Sequence, residues 1–113
     1  MSAITTHVLD TSKGRPAGGI TAILEFKTPE GWNELARGST NTDGRIPDLL
    51  PKERKIDPGI YRLTFEIRSY LEGNQTAGFY PYVPIVFEIK DSEQHYHIPL
   101  LLSPFGYSTY RGS

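Results

Sequence analysis

Apolar and polar residues alternate along this chain in short runs. In residues 20–27, Ile20, Ala22, Leu24 and Phe26 fall on one side of an extended backbone, with Thr21, Ile23, Glu25 and Lys27 on the other. Residues 59–70 (GIYRLTFEIRSY) set Tyr61, Leu63, Phe65 and Ile67 against Arg62, Thr64, Glu66 and Arg68. A period of two marks strands with one buried face. Residues 4–10 (ITTHVLD), 82–90 (YVPIVFEIK) and 95–102 (HYHIPLLL) read as further strands, and residues 106–111 (GYSTYR) as a last one.

Between these runs lie turn sequences. Residues 11–19 (TSKGRPAGG) form a loop, TPEG turns the chain into residues 32–40 (WNELARGST), and Asp43 with Gly44 is a strong tight-turn signal. Residues 48–58 (DLLPKERKIDP) read as a polar loop. Residues 70–78 (YLEGNQTAG) are the one place for a short helix, weakened by their glycines. Seven or eight short strands with a turn roughly every ten residues predict an all-β fold, an antiparallel β-sandwich. With no linker or internal repeat, residues 1–113 read as a single domain.

The same parity separates the histidines from the core. In residues 95–102, Tyr96, Ile98, Leu100 and Leu102 share the core face, while His95, His97, Pro99 and Leu101 share the other. Near the start, Ile4, Thr6 and Val8 oppose Thr5, His7 and Leu9. A solvated sheet face normally carries charges. One that sets leucine and proline beside imidazole points instead to a face covered by another subunit. The plainer alternative is a set of hydrogen-bonded or solvated histidines.

Composition narrows the chemistry. The absence of cysteine removes disulfides, thiolate metal sites and thiol nucleophiles. Twelve Lys and Arg against thirteen Asp and Glu, without long runs, leave no basic face for nucleic acid. The sequence does not open with a basic stretch followed by an apolar one, and no apolar run approaches the roughly 20 residues of a membrane span. The expectation is a soluble protein of the cytoplasm, or of the peroxisome in a eukaryote, although the closing Arg-Gly-Ser is not a Ser-Lys-Leu type peroxisomal signal.

Three chemistries can be built from these residues. Three histidines could hold a zinc ion with an open position, though no carboxylate is obviously placed behind them. Ser108 in GYSTY fails the Gly-x-Ser-x-Gly nucleophile elbow, because Tyr110 stands where the last glycine belongs. A metal-free site remains: histidines that activate water, with an arginine to hold a carbonyl or anionic oxygen. Arg45, directly after the turn, and Arg111 are the arginines with suggestive positions, although composition alone would leave Arg45 an exposed turn residue.

At this point the motifs resemble a known family. ITTHVLDTSKGRPA, TNTDGR, FYPYVPIVFEI and HYHIPLLLSPFGYSTYRGS are similar, in the same order and over essentially the whole chain, to the transthyretin-related 5-hydroxyisourate hydrolases. The closing Tyr-Arg-Gly-Ser is the most specific piece, since it separates these hydrolases from transthyretin itself.

The resemblance implies a transthyretin-like eight-stranded antiparallel β-sandwich of two four-stranded sheets with one short helix. It implies a homotetramer, a dimer of dimers with sites at the dimer–dimer interface, and 5-hydroxyisourate as substrate, with no cofactor and no metal. Carried onto this sequence, the family's catalytic residues fall on His7, Arg45, His97 and Ser113, with Tyr110 and Arg111 binding substrate. The role of His95 stays open between hydrogen bonding and catalysis. Two rivals stand beside this reading: a transthyretin-like carrier of a small ligand, and a zinc-dependent cyclic amide hydrolase.

Overall fold

The computed structural model describes residues 2–113. Its strands are β1 (Ile4–Asp10), β2 (Arg15–Pro16), β3 (Thr21–Thr28), β4 (Gly31–Ser39), β5 (Gly59–Glu66), β6 (Tyr82–Ile89), β7 (Tyr96–Ser103) and β8 (Gly106–Thr109), with a helix α1 (Arg68–Gly73) between β5 and β6. They form two four-stranded sheets, ordered β2-β1-β7-β8 and β4-β3-β5-β6.

The alternation expected of the sequence is what the two sheets bury. Across the second sheet, Leu24 pairs with Leu63 and Leu63 with Ile85, while Ala22 pairs with Phe65 and Phe65 with Val83. Ile4 and Val8 of β1 and Tyr96, Ile98, Leu100 and Leu102 of β7 supply the opposing layer, all buried. Each such side chain fully removed from water stabilises the fold by about 1.5–3 kcal/mol. The one buried threonine of β1, Thr6, donates its hydroxyl to the Ile98 carbonyl at 2.6 Å, so it enters the core without an unsatisfied group.

One pairing departs from an all-antiparallel sandwich. β1 and β7 run parallel, in the register Thr5 to His97 and His7 to Pro99, whereas every other strand pair among the described residues is antiparallel. A parallel pair needs a long crossover. Here the whole second sheet and the helix supply it, a long-range relation that strand patterns do not encode. Two smaller differences are local. Arg15 and Pro16, read as loop, add a short edge strand to β1. The helix starts earlier than the glycine-rich stretch expected to hold it.

Helix α1 is tied down by two side chains. Leu71 is buried, and Tyr70 donates its hydroxyl to Asp10 at 2.6 Å. Burial and the Asp10 hydrogen bond push the Tyr70 phenol up to about 12. Burial also works to raise the Asp10 carboxyl, but hydrogen bonds from Tyr70, Ser12 and the Lys13 amide outweigh it and hold the group below its ordinary value. No helix among the described residues is long and apolar enough to cross a membrane.

Candidate active site

The face of the first sheet that points away from the core carries the histidines. On β1 and β7 the alternate residues on this face are half-buried, Thr5, His7 and Leu9 on one strand and His97 and Leu101 on the other, with Pro99 buried. The parallel register sets Thr5 beside His97 and Leu9 beside Leu101, so His7 and His97 are diagonal neighbours on one surface.

Arg45 reaches this surface through a shaped turn. The Asn41 side-chain oxygen accepts from the amides of Asp43 at 2.9 Å and Arg45 at 3.1 Å, and the Gly44 amide closes onto the Asn41 carbonyl at 2.9 Å. Gly44 has φ +76, a left-handed conformation that favours glycine. Its carbonyl accepts from the Val8 amide at 2.8 Å, and His7 and Arg45 form an isolated antiparallel bridge. Ile46 behind it is buried and anchors the loop, leaving Arg45 exposed and, among the described residues, in no ion pair.

The last residues of the sequence fold onto the other histidine. The Gly112 amide donates to the His97 carbonyl at 2.8 Å, an isolated bridge, and Ser113, the residue after it, is exposed. The Arg111 guanidinium donates to Gln94 at 2.7 Å and lies 4.4 Å over the Tyr96 ring. It therefore acts as a clamp on the tail. Tyr110 is largely exposed and, with His97 and Arg111, lines a cavity of about 290 Å³ between β6 and the tail. Neither His7 nor Arg45 lines that cavity. The surface on which His7, Arg45 and His97 meet is open.

His95 and Thr5 complete the arrangement. The Thr5 hydroxyl lies 2.8 Å from His97 Nδ1 and 3.0 Å from His95 Nε2, and His95 Nδ1 lies 2.8 Å from the Ser2 carbonyl. Burial lowers the His97 pKa, and the charges of Arg45, His95 and His7 lower it further against a smaller opposing effect of Thr5. The lowering favours the neutral imidazole, the form that accepts a proton. Among the described residues no three His, Asp or Glu side chains are grouped as metal ligands, and both His95 nitrogens already have partners. The sequence reading passed over Thr5. Its place on the histidine side of its strand was visible, but the parallel partner that makes it meaningful was not.

A model of the HIUase/Transthyretin family matches residues 4–112. The chain belongs to this family. A mouse relative named 5-hydroxyisourate hydrolase is 47% identical over 114 residues, spanning 99% of this chain and 96% of its own. The structure of Klebsiella pneumoniae 5-hydroxyisourate hydrolase is similar with a TM-score of 0.84 at 35% identity, covering 100% of this chain and 94% of that one. Sea bream transthyretin, solved in complex with thyroxine, is similar with a TM-score of 0.90 at 31% identity, covering 97% and 94%. The family thus holds proteins named for hydrolysis and proteins that carry a ligand on one sandwich, so the choice between them rests on the side chains of the site.

Proposed function

We propose that this protein is a 5-hydroxyisourate hydrolase. The observation that carries the reading is the meeting of His7, Arg45 and His97 on one sheet face, with the Tyr-Arg-Gly-Ser end folded against His97. A carrier of an apolar ligand has no use for imidazoles facing a guanidinium. The names of the mouse and Klebsiella relatives support the same choice.

The reaction adds water across the C–N acyl bond of the six-membered ring and yields 2-oxo-4-hydroxy-4-carboxy-5-ureidoimidazoline. His97 and His7 hold the water, and His97 takes its proton as the oxygen attacks the acyl carbon. General-base assistance of this kind contributes about 10²–10⁴-fold. Arg45 stabilises the negative charge that develops on the carbonyl oxygen, a role worth about 3–4 kcal/mol where single donors have been removed elsewhere. The C–N bond then breaks, and the proton passes from imidazole to the leaving nitrogen. Ser113 and Tyr110 orient the substrate, and Arg111 fixes the tail that carries them. No cofactor takes part.

The working form in this reading is a homotetramer, a dimer of dimers whose dimer–dimer interface covers the histidine face. Half-buried Leu9 and Leu101 beside the histidines support it, since an apolar strip next to a catalytic surface gains from being covered.

The test is the decay of freshly generated 5-hydroxyisourate with and without the protein and a chelator. Acceleration that survives chelation is expected. Acceleration lost to the chelator would favour the zinc hydrolase, and no acceleration would favour the carrier.

A further inference from the structure

Three hydrogen-bonding groups stand in a row behind His97, and with His95 neutral, donor counting assigns every proton in the row. The Ser2 carbonyl can only accept, so His95 Nδ1, 2.8 Å away, carries hydrogen. In neutral His95 the other nitrogen, Nε2, is then an acceptor. The Thr5 hydroxyl at 3.0 Å donates to it. Thr5 has one proton, and it is now spent. Towards His97 Nδ1, 2.8 Å away, its oxygen can only accept, so His97 Nδ1 carries hydrogen.

We infer that Thr5 and His95 are positioning residues that lock His97 in its Nδ1–H tautomer and leave Nε2 as its basic nitrogen. A free imidazole exchanges between two tautomers, and only one of them presents a lone pair at Nε2. The row removes that freedom. It starts from a backbone carbonyl, which cannot reverse its role, and ends on the imidazole that takes the proton from water. This rests on the hydrolase reading for its kinetic consequence, while the tautomer itself is a property of the protein without substrate.

The placement explains the choice of residues. Thr5 is the direct parallel neighbour of His97 and lies within reach of His95 two residues earlier on the same face. Valine would fill the same space without the hydroxyl. Serine would keep the hydroxyl and lose only a methyl.

The experiment compares the wild-type protein with Thr5→Val and Thr5→Ser, each labelled with ¹⁵N-histidine and each assayed with 5-hydroxyisourate. In the wild type the His97 ring should show a protonated Nδ1 and an unprotonated Nε2. Thr5→Val should mix the two tautomers and lower kcat by about 10–100-fold, a share of what general-base catalysis supplies, with KM changed less than about threefold. Thr5→Ser should restore both. An Nε2–H tautomer in the wild type, or an unchanged tautomer and kcat in Thr5→Val, would overturn the inference, and the wild-type spectrum decides even if a variant folds poorly. The expected spectra in a protein that does not accelerate 5-hydroxyisourate decay would uphold the tautomer lock and remove the hydrolase reading instead.

Discussion

Gly112 lies so close to His97 that a Cβ built on it would stand 2.6 Å from the imidazole Cδ2. The same glycine's amide holds the His97 carbonyl, so backbone and ring are set by one residue of the tail. Gly44 has a similar relation to His7, with a Cβ that would stand 3.2 Å from its Cδ2. Each of the two proposed catalytic histidines is therefore backed by a glycine from a different part of the chain.

Gly112→Ala is expected to turn the His97 ring rather than unfold the protein, because the atoms its Cβ would meet belong to a side chain and not to the backbone. A misplacement of about 1 Å in a catalytic group can cost about 10²-fold. A fall of that order in kcat, with a thermal midpoint near that of the wild type, is the expected result in parallel decay assays and calorimetry.

Gly44→Ala should behave differently. Its Cβ would meet the Val8 carbonyl oxygen at 2.3 Å, a backbone atom in a central strand, and the position also requires φ +76. Strain of this kind costs about 1–3 kcal/mol before the clash is relieved. Urea unfolding should show a clearly lower midpoint, with activity lost alongside stability.

His7→Asn, Arg45→Ala and His97→Asn should each fold and assemble, yet lose about 10²–10⁴-fold in kcat/KM, the range expected for general-base and oxyanion-stabilising groups. Gel filtration and the decay assay on the same samples check both halves. Near wild-type turnover in any one of them would strip that residue of its role.

The pH profile follows from His97. Burial, then the charges of Arg45, His95 and His7, hold its folded-state pKa below the ordinary imidazole value. The neutral form therefore persists as pH falls, and the acid limb of kcat/KM should lie below the pH at which a free imidazole titrates. Linkage has the same sign: the unfolded chain binds the proton first, so stability is full above the unfolded pKa and declines as pH falls toward the folded one. Titration of the His97 ring by NMR should show the depressed value, and Arg45→Ala should raise it.

Tyr70→Phe removes the hydroxyl that satisfies Oδ2 of Asp10, a carboxylate only 3% exposed. Hydrogen bonds to charged groups are worth about 1.5–3 kcal/mol, and a loss of that size should appear in urea denaturation at neutral pH. Because the Asp10 pKa is held low, its stabilisation is present above the unfolded carboxylate value and is lost as pH falls through the folded one. The gap between wild type and variant should accordingly narrow in acid.

Much of the fold was legible because core and histidine faces follow a period of two, broken on β7 only at the buried Pro99. Tyr61, Leu63, Phe65 and Ile67, expected on one face, are all buried, as are Tyr96, Ile98, Leu100 and Leu102. His7 and His97 were likewise placed on the outer face by parity. What parity does not carry is which strands are neighbours. The parallel register of β1 on β7 brings Thr5 against His97 and gives His95 a hydrogen-bonding position, and no local pattern records it. Nor did the tail's motif reveal that Arg111 would fold back onto Gln94 and Tyr96 while Gly112 reached His97.

The parallel pairing of β1 with β7 also has a consequence in time. Thr5 and His97 touch across 92 positions of sequence, so the histidine face has no local precursor and cannot form before β7 has been made. On the ribosome, the second sheet and the helix emerge before β1 has a partner on that side. Contacts between such distant segments are formed slowly, after the entropy of closing a long loop has been met. Until then β1 stands with an unpaired edge beside the exposed side chains of Leu9 and His7. Recovery of the histidine face during refolding would therefore report completion of the whole sandwich, later than any signal from the β3–β4 hairpin.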